Sequence, residues 1–510
     1  MLAVVPLKHD PPLGWPSFTP SAPSPTVSPA EEDSVARRHP IRCLEEPVEE
    51  QGPRRSFAPY PATTADPSRL DLSTINMLPN NVLLSVFRYY MADSGDLDEW
   101  STLSRVCRRW RYTMAASADR LNLRLVCTEI SPGTEMIGAW PAIHIVIKNG
   151  GDPTGRNDGD FITALEQSSR VCEVSLTHLT STVFERVVEL AQEPFPQLTS
   201  LELAVNHDEM TAIVPGSFLG GSAPRLQRLD LANIPFPALP NLLLSATDLV
   251  YLRIWDVPDS GFISPEAIAT FLPAMEKLER FHLGFRSPRP PPGPASRHPP
   301  PPTRTTLPAL SQFYFQGNSE YLDDLVAHVD APTLDDFSVT FYNQLVFDTP
   351  QLLQFISRTG KFITLDHAEV LFRGDNVTVK FPSSSQRGKV DRESLMLVIR
   401  CRGLVWQLSA LAQVLRPPLP PLSTLKQLRI LEGEHLHPHV EDDTENAEWP
   451  QLLQPFTALR DLYLSENLAL RIAPALKGFI EDGAAQAFPA LRNVLLDELQ
   501  QSGPIQEAIA

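Results

Sequence analysis

LTSLEL at 198–203, LQRLDL at 226–231, LVYLRI at 249–254 and LERFHL at 278–283 are four instances of one pattern, L-x-x-L-x-L with conservative apolar exchanges. It continues as LSQFYF from Leu310, LDDFSV from Leu334, LKQLRI from Leu425, LRDLYL from Leu459 and LRNVLL from Leu491, with a weaker VCEVSL from Val171. The alternating apolar residues of each copy share one face of a strand, and the residues between them share the other. Successive starts lie 28, 23, 29, 32 and 24 residues apart, then 91, 34 and 32. One strand per period of this length predicts a solenoid, in which each unit buries its apolar face only against its neighbours. The long gap has room for two degenerate strands, expected near 362–365 and 395–399.

Helical stripes fall between the strands: Phe184, Val187, Val188 and Ala191; Ile268, Phe271, Leu272 and Met275 after the start signal Ser264-Pro265; and Leu322, Leu325, Val326 and Val329. A strand and often a helix per period is the composition of a leucine-rich repeat. Asn206, Asn318 and Asn467 stand eight residues after a leading Leu, where an asparagine side chain can bond turn backbone.

In this register the residues between the leucines face the concave side of the array. They include Arg228, Asp230, Tyr251, Arg253, Trp255, Arg280, His282 and Tyr314. Arginine and large aromatics on adjacent strands are the side chains that dominate protein interfaces, so Arg228, Tyr251, Arg253, Trp255, Arg280, His282 and Tyr314 are the expected target-binding residues. An arginine column in an acidic protein favours an acidic or phosphorylated target. A register slip of one residue would turn every one of them inward.

Upstream, LPNNVLLSVFRYY begins at Leu78 and LSRVCRRWRY at Leu103. Leu83, Val86, Phe87 and Tyr90 form one helical stripe, Leu103, Val106, Cys107 and Trp110 another, and Pro79 suits a first helical turn. The residues LP at 78–79, VLLSVF at 82–87 and VCRRWR at 106–111 resemble an F-box motif. That resemblance implies a small three-helix module over 73–125 that docks on a Skp-type adaptor of a cullin-based ubiquitin ligase, with Leu78, Pro79, Val82, Leu83, Phe87 and Trp110 facing the adaptor. Asn81 departs from the acidic residue usual in the motif, and the 91–101 loop is longer than usual. With the repeats downstream, 75–510 resembles the large group of F-box proteins with irregular leucine-rich repeats found in mushroom-forming fungi. TLDHAEVLF at 364–372, WQLSALAQV at 406–414 and FTALRDLYLSENLALRIAPAL at 456–476 carry the likeness. Members of that group commonly extend beyond the point reached at Ala510.

Composition bounds the rest. The 510 residues carry 43 Lys+Arg against 61 Asp+Glu, a net charge of −18 that repels a phosphate backbone and argues against a nucleic-acid partner. Fourteen of the first 70 residues are proline, so 1–72 is expected to be a disordered tail. SPRPPPGPASRHPPPPTRTT at 287–306 reads as an extended proline-rich loop within the array. The five cysteines are far apart, which suggests neither a disulfide scaffold nor a cysteine zinc site. His435, His437 and His439 alternate ahead of Glu441, Asp442 and Asp443, but Pro438 disturbs a strand there, and no metal is assigned. No catalytic motif and no cofactor signature occurs. No run of 18 apolar residues suggests a membrane span, and a soluble intracellular protein of cytoplasm or nucleus is expected.

The expected architecture is therefore α/β: a disordered tail (1–72), an F-box (73–125), a connector (126–165) and an irregular leucine-rich-repeat solenoid (166–510). The expected role is not that of an enzyme. It is that of a substrate receptor of a cullin-based ligase, with a non-degradative scaffold or interaction module as the alternative.

Overall fold

The computed structural model describes residues 77–94, 100–128, 133–149, 159–206, 212–287, 303–342, 344, 347–382, 393–415, 422–433, 445–481 and 490–497. The 1–72 tail, the insert from 288 to 302 and the histidines at 435–439 lie outside them. The chain divides into two compact units; of the smaller, His9–Pro79, only residues 77–79 are described, and every helix and strand below belongs to the other.

Three helices come first, Asn80–Ser94, Trp100–Val106 and Arg108–Ala115, followed by the short Ala118–Leu121. The second apolar stripe crosses two of them, because Cys107 takes an extended conformation (φ −159°, ψ 166°) and its carbonyl starts the next helix by accepting from the Arg111 N–H. Leu83, Leu84, Phe87, Leu103, Met114 and Leu121 are buried, with Trp110 set edge-on to Phe87 at 5.0 Å. The Trp100 indole donates to the Arg124 carbonyl (2.8 Å) and packs edge-on to Trp140, which ties these helices to the first strand.

The strands are β1 (Arg124–Cys127), β2 (His144–Lys148), β3 (Val171–Leu179), β4 (Ser200–Val205), β5 (Arg228–Ala232), β6 (Tyr251–Val257), β7 (Arg280–Phe285), β8 (Thr305–Thr306), β9 (Gln312–Gly317), β10 (Val329–Asp330), β11 (Asp336–Tyr342), β12 (His367–Phe372), β13 (Val377–Pro382), β14 (Glu393–Arg400), β15 (Gln427–Glu432), β16 (Asp461–Ser465) and β17 (Asn493–Asp497). The short β8 and β10 pair with each other, which places the end of the proline-rich segment in a two-stranded ladder. The other strands form one 15-stranded sheet. It is parallel except around β13, which runs antiparallel to both its neighbours. A long parallel sheet with one strand per repeat is consistent with a leucine-rich-repeat solenoid.

Each L-x-x-L-x-L motif delivers its apolar residues to the interior except the last, LRNVLL, whose Leu491, Val494 and Leu496 are half-buried. Leu226, Leu229, Leu231, Leu249, Leu252 and Ile254 are each at most 3% exposed. Where phenylalanine replaces leucine the rings stack between repeats, Phe281 on Phe313 at 5.2 Å and Phe313 on Phe337 at 5.3 Å. A backbone ladder holds the register: one carbonyl in each motif accepts from two successive N–H groups of the next repeat. Thr199 bonds Gln227 and Arg228, Gln227 bonds Val250 and Tyr251, and Val250 bonds Glu279 and Arg280. The three predicted helical stripes are buried, and the Ser264 hydroxyl caps its helix by accepting from the Ala267 N–H (3.2 Å).

Several expectations are corrected. The sheet starts at β1 and β2, which pair in parallel with each other and onward to β3, so 126–165 contributes to the array instead of connecting to it. HIVIK buries three consecutive apolar residues, Ile145, Val146 and Ile147, and lacks the leading Leu of the motif. The 91-residue gap holds three strands. Residues 360–364 form a 3₁₀ turn, the strand expected there begins at His367, and β14 takes the place expected near 395–399. The order β11-β14-β13-β12-β15 means the chain leaves β11, passes over two positions to lay down β12, returns through the β12–β13 hairpin, and fills the vacancy beside β11 with β14. Asn149 and Asn233 bridge repeats through backbone groups. Asn149 pairs with the Thr177 backbone, and Asn233, at φ 59°, donates to the carbonyls of Val205 and Asn206. Asn467 lies inside the helix Glu466–Glu481.

Candidate functional site

The residues between the leucines form straight rows across the sheet. Arg228, Tyr251, Arg280 and Gln312 are register partners on β5, β6, β7 and β9; Asp230, Arg253, His282 and Tyr314 make the second row; Ala232 pairs with Trp255 in the third, where Gly284 pairs with Gln316. All seven arginine, aromatic and histidine residues expected at the target site therefore lie on one face within four adjacent strands.

Tyr251 stands between two cations. The Arg228 guanidinium lies 4.0 Å from its ring centroid and that of Arg280 4.9 Å, each reaching over from the strand on either side. In the second row Asp230 is 3% exposed, and its Oδ2 lies 3.2 Å from Arg228 and 3.5 Å from Arg253. Burial pushes the Asp230 carboxyl above its ordinary pKa, and the two arginines pull it back. Arg280 is exposed and has no acidic partner among the described residues. His282 lies between two aromatic rings, 5.4 Å from Tyr251 and 4.4 Å from Tyr314. Burial, and then Arg253, Arg280 and Arg228, push its pKa down to about 4, so the imidazole is neutral at physiological pH. Its Nε2 is buried and lacks a hydrogen-bond partner. In the third row Arg253 lies 5.6 Å from the Trp255 ring, and the indole covers Gly284, where an added Cβ would come within 2.8 Å of it.

The same face continues on both sides. Tyr314 donates its hydroxyl to Asp336, Gln316 donates to the Tyr342 hydroxyl, and Arg400 lies 5.2 Å from the Tyr342 ring. On the other side Ser175 donates to Glu202 (2.9 Å), while Glu173 pairs with Lys148 and Arg124. Asp336, Gln316 and Tyr342 are absent from the sequence-derived residues, although alternation in LSQFYFQG and LDDFSVTFY points to them directly.

The helical module carries a different surface. Leu83 and Phe87, expected to face an adaptor, are 0% exposed and belong to the interior. Leu78 and Trp110 are half-buried, and Pro79 is exposed. Val82 is exposed and begins a second apolar stripe with Val86 and Tyr89, joined by Tyr90. Both faces of the Asn80–Ser94 helix are thus apolar, one packed inside and one facing solvent.

Among the described residues no helix is long and apolar enough to cross a membrane, and no three His, Cys, Asp or Glu side chains gather as metal ligands. The leucine-rich-repeat-like fold and its strand face define the class: an α/β array of parallel strands with a polar and aromatic surface on one side. No protein family and no curated protein matches the chain. Among solved structures it is similar to the leucine-rich repeat-containing protein LegL7 from Legionella pneumophila, at 11% identity over 74% of this chain and 90% of that one, with a TM-score of 0.23.

Proposed function

We propose that the protein is a substrate receptor of a cullin-based ubiquitin ligase. The helices Asn80–Ser94 to Arg108–Ala115 bind a Skp-type adaptor, and the strand face from β5 to β11 holds a target protein for ubiquitylation by other subunits. The receptor contributes proximity and orientation and no covalent chemistry. The observation that supports this reading is the solvent-facing stripe of Val82, Val86, Tyr89 and Tyr90, with Tyr89 80% exposed, on a module that resembles an F-box in sequence. Contiguous apolar surface of this kind marks a protein contact.

Co-purification of the tagged full-length chain with Skp-type adaptor and cullin tests it. The pair Val86→Asp and Tyr89→Asp changes exposed residues only, so circular dichroism should match that of the parent while adaptor binding is lost. Adaptor capture by the doubly substituted chain would overturn the reading.

A further inference from the structure

Arg228 and Arg253 face one buried carboxylate, Asp230, and Arg280 stands beside them over Tyr251, which leaves two positive charges on the first two rows of β5–β7. Acidic groups border this patch on both sides, Glu202 on β4 and Asp336 on β11. A broad acidic surface laid over the sheet would meet both of them. A single chain running along β6 would meet neither, because at about 4.8 Å per strand the cationic patch is only about as wide as one extended peptide with its side chains.

The rows also set the spacing of the charges. Arg228 and Arg280 are separated by the Tyr251 ring, and Arg253 lies one row further along the strand. Rows follow at two-residue intervals, about 6.6–6.8 Å apart, which is also the distance between same-side residues of an extended peptide. One phosphate group is too compact to meet guanidiniums on both sides of a ring and in the next row. Carboxylates on alternate residues match this spacing. The third row offers a flat indole over Gly284 beside the small Ala232, a surface for an apolar side chain.

We propose that this face binds an extended, unphosphorylated acidic segment of the form acidic-x-acidic-x-apolar, its carboxylates on the Arg228–Tyr251–Arg280 row and on Arg253 and its apolar side chain against Trp255. This rests on the reading of the strand face as the target site and names the target's chemistry. Asp230, buried beneath the arginines, lies 3.2 Å from Arg228 and 3.5 Å from Arg253 and offsets part of their charge.

The test uses the purified full-length chain and three synthetic peptides labelled for fluorescence anisotropy: Glu-x-Glu-x-Leu, the same composition with the glutamates adjacent, and a single phosphoserine in a neutral background. The spaced peptide should bind about tenfold more tightly than either of the others. Arg253→Gln and Arg280→Gln should each weaken it about fivefold, and Trp255→Ala should weaken it with no change in its salt dependence. Preference for the phosphoserine peptide, equal binding of the spaced and adjacent glutamates, or no binding would overturn the inference. The underlying reading is tested separately by comparing proteins captured in cells by the parent chain and by Arg228→Gln/Arg253→Gln/Arg280→Gln, with melting temperatures matched. If capture depends on the arginines and the spaced peptide fails, the target site stands and the peptide chemistry falls. An unchanged capture list removes the target site itself.

Discussion

Arg253 and Asp230 are register partners on β6 and β5, and the guanidinium lies 3.5 Å from a carboxylate whose side chain is 5% exposed. Arg228 approaches the same oxygen at 3.2 Å. The carboxyl's upward pKa shift shows that burial outweighs the attraction of the two cations, so its charge adds little net stability. Asp230→Asn keeps an acceptor oxygen and should change stability by only about 1 kcal/mol. It should also raise affinity for an acidic peptide about threefold and steepen the salt dependence, because it removes the one anion beneath the patch. Weaker binding at unchanged melting temperature would show that the arginines depend on the carboxylate for their orientation.

Alternation makes this surface legible, since a motif whose leucines bury themselves at every second position assigns the intervening residues to the opposite face. Arg228, Tyr251 and Arg280 could thus be placed in one row before any coordinates. The rearranged order around β13 was hidden because VTVKFP lacks the framing leucine, and strand order depends on pairing between distant residues that no local pattern records. The helical module misleads for another reason. Apolar residues line both sides of Asn80–Ser94, so periodicity alone could not separate the buried Leu83 and Phe87 from the exposed Val86 and Tyr89.

Gly220 occupies the left-handed region at φ +67°, in a turn whose N–H groups close the preceding helix: Leu219 donates to the Ala191 carbonyl and Gly220 to that of Gln192. A Cβ there would come within 2.7 Å of the Pro194 ring and 3.0 Å of its Cα. Gly220→Ala should cost about 1–3 kcal/mol, read as a lower denaturation midpoint with unchanged slope. Gly138, with open space around the position of a Cβ, is the control and should tolerate alanine.

His282 makes stability sensitive to acid. Its folded pKa is pushed down to about 4 from an ordinary 6.5, so between those values the unfolded chain binds the proton more readily than the folded one. The contribution is fully present above pH 6.5 and is lost as pH falls toward 4. His282→Phe keeps an aromatic ring between Tyr251 and Tyr314 and removes the titration. The melting temperature of the variant relative to the parent should rise on acidification through this window; a constant difference would mean that the imidazole is not buried as described.

Asp323 works in the opposite direction over nearly the same range. It is 9% exposed, and its Oδ1 accepts from the Leu352 N–H (2.8 Å), so it closes the first turn of the helix Pro350–Arg358 from the neighbouring repeat. Burial pushes its pKa up to about 6 despite the backbone bonds from Leu352 and Gln351, which favour the charged form. The folded state therefore holds the proton more tightly than the unfolded state. The stability linked to this group is fully present below the ordinary value near 3.8 and is lost as pH rises through 6. Asp323→Asn keeps the acceptor for Leu352 and cannot ionise, so its melting temperature relative to the parent should increase from pH 4 to 6 and level off above. The His282→Phe difference runs the other way. Thermal melts of the parent, both single variants and the double variant across pH 4 to 7 should show two opposed slopes that add, because the groups belong to different repeats and share no hydrogen bond. A parent-to-Asp323→Asn difference that does not change with pH would contradict the buried, charge-penalised cap.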